Sequence, residues 1–278
     1  MRPKRPTIGR MGTTSRLEET GVAVRLGDSP IVGTAIHNGT TVRDDLKPAM
    51  ALSDPDRQRE EDPFTACFIS NFPNQIVVDH SRFEVDLNRA REAAVYLSPA
   101  QSWGLKVWRT RPSAEQVAAS LVRHDAYYAL LRRILGDIEA RHGPFVVIDV
   151  HSYNHRRDGA NSAPTPGEDA PDINIGTFSM DRRRWAHVVD PFLEALRASR
   201  FKGAPMDVRE NIAFQGKGEQ TRFIHEAFPK TGCAIAVEFK KIFMDEWSGE
   251  PDRAAIDELR AALTATLPVL ESALRNAP

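Results

Sequence analysis

Two histidines stand at the ends of apolar, strand-like runs: His37 closes IVGTAIH and His151 closes FVVIDVH. Each is followed by polar residues, Asn38-Gly39 and Ser152-Tyr153, which suits an imidazole facing a cavity rather than a packed core. In open α/β sheets, ligand sites gather beyond the carboxyl ends of the strands, where the connecting loops diverge. Two imidazoles and one carboxylate are a usual protein shell for catalytic zinc, with the fourth position left to water. The pair therefore reads as a metal site, against the plainer reading of each ring as a hydrogen-bonded strand-end residue. The position three residues after His37, where a short metallopeptidase pattern carries Glu, holds Thr40. Candidates for the third ligand are Glu61 and Asp62 in REEDPFTA and Asp44 and Asp45 in VRDDL. Asp62 is preferred, and a helix N-cap or solvated acidic turn is the competing reading of the EED run.

Glu238 interrupts the apolar run CAIAVEF, where an unpaired carboxylate is expensive to desolvate. Facing a water it can serve as general base and then as acid toward a leaving nitrogen; otherwise it needs an ion pair with a nearby Arg or Lys. RFEVDLNR brings Arg82, Asp86, Asn88 and Arg89 close in sequence, and an Arg fork backed by an Asn amide fits a substrate carboxylate at two points. The plainer reading pairs Arg89 with Asp86 or Glu84. Arg222 is a second cation, for which pairing with Glu226 at i,i+4 is the dull explanation. Other chemistries lack their parts. No G-x-S-x-G elbow surrounds Ser152, no local signature gives Cys67 a partner His, and no glycine-rich phosphate cradle occurs.

The elements that must position these groups follow from periodicity. GVAVRLG, IVGTAIH and QIVVD read as strands, and Ser113 with Gln116 forms a capping box that opens a long amphipathic helix. Val117, Leu121, Tyr128, Leu131, Leu135 and Ile138 recur along it at three- and four-residue steps up to Gly143. FVVIDVH and CAIAVEF are unbroken, β-branched-rich runs, expected of strands buried on both faces of a parallel sheet. Helices are expected over 181–199 and 219–228, and from Asp252 to the end with a bend at Pro268. Strands alternating with long helices predict an α/β three-layer sandwich: a mostly parallel mixed sheet flanked by helices. Residues 1–20 lack an apolar period and read as a flexible arm, leaving 21–278 as one domain.

Composition bounds the partners. The chain has 278 residues, 41% hydrophobic and 27% charged, enough for a substantial core, and its 37 basic against 38 acidic side chains leave no general field for a polyanion. A small molecule rather than nucleic acid or a membrane is the expected partner. Two cysteines and no apolar leader point to a reducing, cytoplasmic setting. Oligomeric state is not readable.

The ordered set AIHNG, EED, SRFEVDLNR, VIDVHSYN, PDINIGTF, QTRFIHEAF and AVEFKKIFMDE resembles the N-formylglutamate amidohydrolase family over roughly residues 30 to 248. Its members resemble zinc carboxypeptidases and aspartoacylases in fold and mechanism. The resemblance implies one zinc per chain on His37, His151 and an acid of EED, with Glu238 as the catalytic carboxylate. It also implies that Asn88 and Arg89, with Arg222 as a second candidate, read the substrate acid, while Asp172 and Asn174 shape the pocket loop. The implied reaction is hydrolysis of a small N-acyl amino acid such as N-formyl-L-glutamate. The alternatives are a metallocarboxypeptidase or peptide amidase, or a non-catalytic metal-binding sensor. Asn38, Glu84 and the long loop from Arg156 to Pro171 depart from the family pattern and bear on which acyl group and amino acid are accepted.

Overall fold

The structure, a computed structural model, describes residues 14–17 and 21–276. Its strands are β1 (Thr14–Leu17), β2 (Val22–Arg25), β3 (Ile31–Ala35), β4 (Asn74–Val78), β5 (Phe145–Tyr153), β6 (Ile173–Gly176), β7 (Arg200–Phe201), β8 (Ala204–Pro205), β9 (Val208–Glu210) and β10 (Gly232–Lys240). The helices are α1 (Asp54–Glu60), α2 (Thr65–Phe68), α3 (Ala114–His142), α4 (Ala186–Arg197), α5 (Glu219–Ala227), α6 (Arg253–Ala265) and α7 (Leu267–Arg275).

One mixed sheet runs in the order β1-β2-β4-β3-β5-β10-β6-β9, while β7 and β8 form a small separate hairpin. The central β4-β3-β5-β10 pairings are parallel, and β2 and β6 join antiparallel on either side. Every residue of β3 and β5 is buried, as their unbroken apolar runs require of strands covered on both faces. One face carries Ile148, Val150, Ile235 and Val237 under Val188, Phe192, Leu259 and Leu263 of α4 and α6. The other carries Val32, Ile76, Val147 and Ala234 under Tyr127, Leu131, Leu135 and Ile138 of α3 and Ile224 of α5. This is the three-layer α/β sandwich that the alternation of elements predicts.

α3 opens on the expected box: Ser113 Oγ accepts from the Gln116 amide, and the Ser113 amide donates to Gln116 Oε1 at 2.9 Å. Its central turns lie on the sheet, whereas Val117 and Leu121 in its first turns reach a third apolar cluster around Phe83, Tyr96 and Trp108. Replacing the fully buried Leu135 by Ala is expected to cost about 2–5 kcal/mol, lost transfer energy plus a residual cavity, measurable as a lower denaturant midpoint.

Three expectations need amendment. Of the expected arm, residues 14–17 pair antiparallel with β2, because the backbone edge of β2 accepts a partner whatever its side-chain pattern; the rest of 1–20 lies outside the described residues. Pro268 does not bend one helix but sits in the first turn of α7, and α6 ends at Ala265, one residue before α7 begins, since a proline ring cannot continue an uninterrupted helix. The helix expected from 181 starts at Ala186, after a turn in which Asp181 Oδ1 accepts from the Arg183 and Arg184 amides. Cys67 and Cys233 are both free. Among the described residues no helix is long and apolar enough to cross a membrane.

Candidate active site

His37 lies just past β3, and its carbonyl accepts the Asp62 amide at 2.9 Å. That one backbone bond brings the acidic run after α1 to the sheet's carboxyl edge. Two others fasten it: Thr65 Oγ1 donates to the Asp62 carbonyl (2.7 Å), and the Ala66 amide donates to Asn38 Oδ1 (3.0 Å). His151 comes from the parallel neighbour β5. Asp62 Oδ2 ends 3.3 Å from His37 Nδ1 and 3.0 Å from His151 Nδ1, and the two Nδ1 atoms are 3.2 Å apart. All three residues are buried, and their donor atoms are close enough together to hold a metal ion.

Both rings are held from behind by carboxylates. His37 Nε2 meets Asp86 Oδ1 at 2.7 Å, and His151 Nε2 meets Asp149 Oδ2 at 3.1 Å. A carboxylate can only accept, so each contact favours the proton on Nε2 and turns an Nδ1 lone pair toward the other ring. Two lone pairs and an anionic oxygen crowded this closely repel one another unless a cation lies among them, which is the arrangement a divalent ion requires. The carboxylates are fixed in turn. Asp86 accepts from Tyr96 OH, from Arg82 Nη2 (2.9 Å) and from the Asn88 amide (2.8 Å). Asp149 accepts from Thr34 Oγ1 (2.9 Å), which accepts from Gln220 Nε2 (2.7 Å), whose Oε1 takes the Tyr127 hydroxyl. Burial would raise the Asp62 pKa, but the positive charge it faces, whether an ion or protons on the His151 and His37 rings, holds it well below the usual carboxylate range, so it is an anion.

Glu238 sits on β10 in register with His151 of β5 on one side and Asn174 of β6 on the other. It is half-buried on the wall of a cavity of about 420 Å³ that His37, Asp62 and His151 also line. No Arg or Lys among the described residues stands within ion-pair distance of it. Burial pushes its carboxyl up to about 7.

Asn88, Arg89 and Arg82 line the same cavity, as do Trp103, Arg157 and Lys217. Arg222 does not: it occupies a neighbouring depression, 3.3 Å from Glu219 and 3.8 Å from Glu226. Asn174 lies outside the cavity lining, where its amide accepts from the Ile212 and Ala213 amides (both 2.9 Å) and donates to the Phe214 carbonyl (2.7 Å). It thereby fixes the 211–215 loop whose Phe214 and Gln215 do line the cavity. Asn174→Ala should speed amide exchange at Ile212 and Ala213 by about tenfold or more, read by hydrogen exchange. Asp172 ties Lys240 at 2.7 Å. Glu61 turns away from the cluster, accepting from Ser81 Oγ with Arg57 3.5 Å distant. Asp44 and Asp45 are exposed partners of Lys47 and Arg43.

Sequence reasoning alone gave no role to Asp149, Trp103, Lys241, Arg157 or Lys217, all of which line the cavity. Asp149 carried a readable signal: two residues before a strand His, it must share that face. Lys241 carried none. Its fully buried ammonium donates to the carbonyls of Arg59 and Glu61 (2.8 Å for the latter), beside the segment that presents Asp62, and burial lowers it to about 8.

Comparison with known proteins bears on the family and the fold. The model of the N-formylglutamate amidohydrolase family matches residues 29–244. An N-formylglutamate amidohydrolase from Ralstonia eutropha JMP134 is similar in structure, with a TM-score of 0.72 at 17% identity, covering 92% of this chain and 99% of that one. A gene product of Agrobacterium tumefaciens is similar at a TM-score of 0.62 and 16% identity, covering 91% and 96%. At such identities the two structures speak to the fold. The comparison with curated proteins gave no match.

Proposed function

The chain belongs to the N-formylglutamate amidohydrolase family, and from that premise we propose that it hydrolyses the amide of a small N-acyl amino acid, N-formyl-L-glutamate first, with a divalent ion, zinc by preference, held by His37, Asp62 and His151. The observation that carries the reading is the convergence of those three buried donors in one cavity with the ion-pair-free Glu238. Two imidazoles and a carboxylate are a donor set that zinc favours, and the carboxylates behind both rings fit a metal site's outer shell. When bound, the ion would polarise the amide carbonyl and make water acidic enough to attack near neutral pH.

The chain's own groups supply the rest. Asn88 and Arg89 would take the substrate carboxylate, the Arg by its fork and the Asn by its amide. Arg82, held by Asp86, presents a cation to the same cavity and would stabilise negative charge developing on the carbonyl oxygen. Glu238 would take a proton from the attacking water and return it to the nitrogen as the C–N bond breaks. One amide and one water thus become one carboxylic acid, formic acid in the formyl case, and one free amino acid.

Purified protein incubated with N-formyl-L-glutamate is expected to release equimolar formate and glutamate. Dialysis against a chelator should remove at least about 90% of that activity, and stoichiometric zinc should restore it. Activity that survives removal of all bound metal would overturn the metal assignment.

A further inference from the structure

Behind the cavity, one polar chain runs inward from His151 through four elements that are otherwise packed with apolar side chains. Its members are Asp149 of β5, Thr34 of β3, Gln220 of α5 and Tyr127 of α3, all fully buried. Asp149 Oδ2 meets His151 Nε2 at 3.1 Å, Thr34 Oγ1 donates to Asp149 Oδ1 at 2.9 Å, and Gln220 Nε2 donates to Thr34 Oγ1 at 2.7 Å. The Tyr127 hydroxyl closes the far end on Gln220 Oε1.

The protons of this chain fit in one way only. The Asp149 carboxylate can only accept, so the single hydroxyl proton of Thr34 goes to it. Thr34 Oγ1 must then receive a proton from Gln220, which turns Nε2 toward Thr34 and Oε1 toward the Tyr127 hydroxyl. A reversed amide would set Gln220 Oε1, Thr34 Oγ1 and Asp149 Oδ1 against one shared proton. Gln220 is therefore the residue that gives the chain its direction, a donor at one end of a flat frame and an acceptor at the other. Buried and fully paired, such a network is held to a single geometry.

Its starting point is rigid. The Glu219 amide donates to the Asn88 carbonyl (3.1 Å) and the Gln220 amide to Asn88 Oδ1 (3.4 Å). A Cβ on Gly218 would fall 2.1 Å from Asn88 Oδ1, so only glycine allows the first turn of α5 to come this close to the cavity wall.

We infer that Gln220 is a positioning residue for the metal centre. From a helix that supplies no ligand, it fixes the direction of the chain through Thr34 and Asp149 and so holds the His151 ring with Nδ1 toward Asp62 and His37. Zinc as the ion rests on the proposed function, whereas the fixing of the ring does not.

Two readouts that need no substrate test this: zinc affinity, by competition with a chromophoric chelator, and solvent exchange of the His151 Nε2 proton, by NMR. Gln220→Met keeps the length of the side chain and removes its donor and acceptor; Gln220→Glu keeps the shape and offers Thr34 an acceptor where a donor is needed. Zinc should bind about tenfold more weakly to Gln220→Met and more weakly still to Gln220→Glu, with proton exchange about tenfold faster or more in both. Leu135→Ala, which loosens α3 without touching the chain, should leave both readouts at the wild-type level; the same losses there would reduce Gln220 to a packing residue. Thr34→Val should behave as Gln220→Met does, and Thr34→Ser, which keeps the hydroxyl, as the wild type does; this pair decides the matter if the Gln220 variants do not fold. Unchanged zinc affinity and exchange in Gln220→Met, or in Thr34→Val, overturns the inference however well the protein hydrolyses. Weakened zinc binding in the variants of a protein that turns over no acyl amino acid upholds it and overturns the hydrolase reading alone. In a wild type that binds no zinc the metal reading falls, and exchange of the Nε2 proton still decides whether Gln220 holds the ring.

Discussion

Replacing Glu238 by Gln is expected to lower kcat for N-formyl-L-glutamate by about 10²–10⁴-fold while leaving bound metal at the wild-type level. The argument is one of chemistry at nearly constant shape. The amide keeps the size of the carboxylate and its place on β10 beside His151, but it has no basic oxygen to take a proton from water and no proton to hand on to a leaving nitrogen. Since Glu238 is separate from the three converging donors, its loss should spare metal content. Equal turnover in wild type and variant would remove Glu238 from the reaction.

The same residue fixes a pH dependence. Burial raises the Glu238 carboxyl to about 7, and a base must be ionised to act, so the rate should climb as pH rises through the pKa of this group. A cation beside it favours the ionised form and lowers that value. The ascending limb of kcat/KM is therefore expected at or below about 7, and Glu238→Gln should abolish it. A limb that persists in the variant would belong to another group.

How far the sequence reveals this depends on whether a feature is set by local pattern or by loops. β5 and β10 are legible because strands covered on both faces must be apolar throughout, and His151 and Glu238 stand out as the polar residues such strands would otherwise reject. α3 is legible from its box and its period. β6 and β9 are not: INIG is four residues long and contains an Asn, and only its pairing with β10 shows that the Asn amide is used to hold a loop. In the site, His37 and His151 could be read from their strand-end positions, and Asp62 remained one of several acids until the His37 carbonyl was seen to receive its amide. Asp86 stands in plain view, but its spacing makes it one of two pairing partners for Arg89. Its contact with His37 spans 49 residues of chain, and no spacing rule predicts a contact made through an irregular segment. Arg157 and Lys217 lie on loops for the same reason.

His37→Ala and His151→Ala should each reduce bound zinc to less than about 0.1 equivalent after dialysis, from about one equivalent in the wild type. With His2Asp as the protein's whole contribution, removing one imidazole leaves two donors, too few to compete with a mild chelator. The outer carboxylates should behave differently. Asp86→Asn and Asp149→Asn keep a hydrogen-bonding group near each Nε2 but lose its charge, so metal is expected to bind about 10–100-fold more weakly without being abolished. The graded order, with histidine variants below carboxamide variants and these below wild type, separates a metal centre from a structural His–Asp cluster. A structural cluster would show losses of thermal stability in that order, with no zinc bound by any of the five proteins. Full zinc occupancy in both histidine variants would mean that the ion, if there is one, sits elsewhere, and Glu238 would then have no metal beside it to cooperate with.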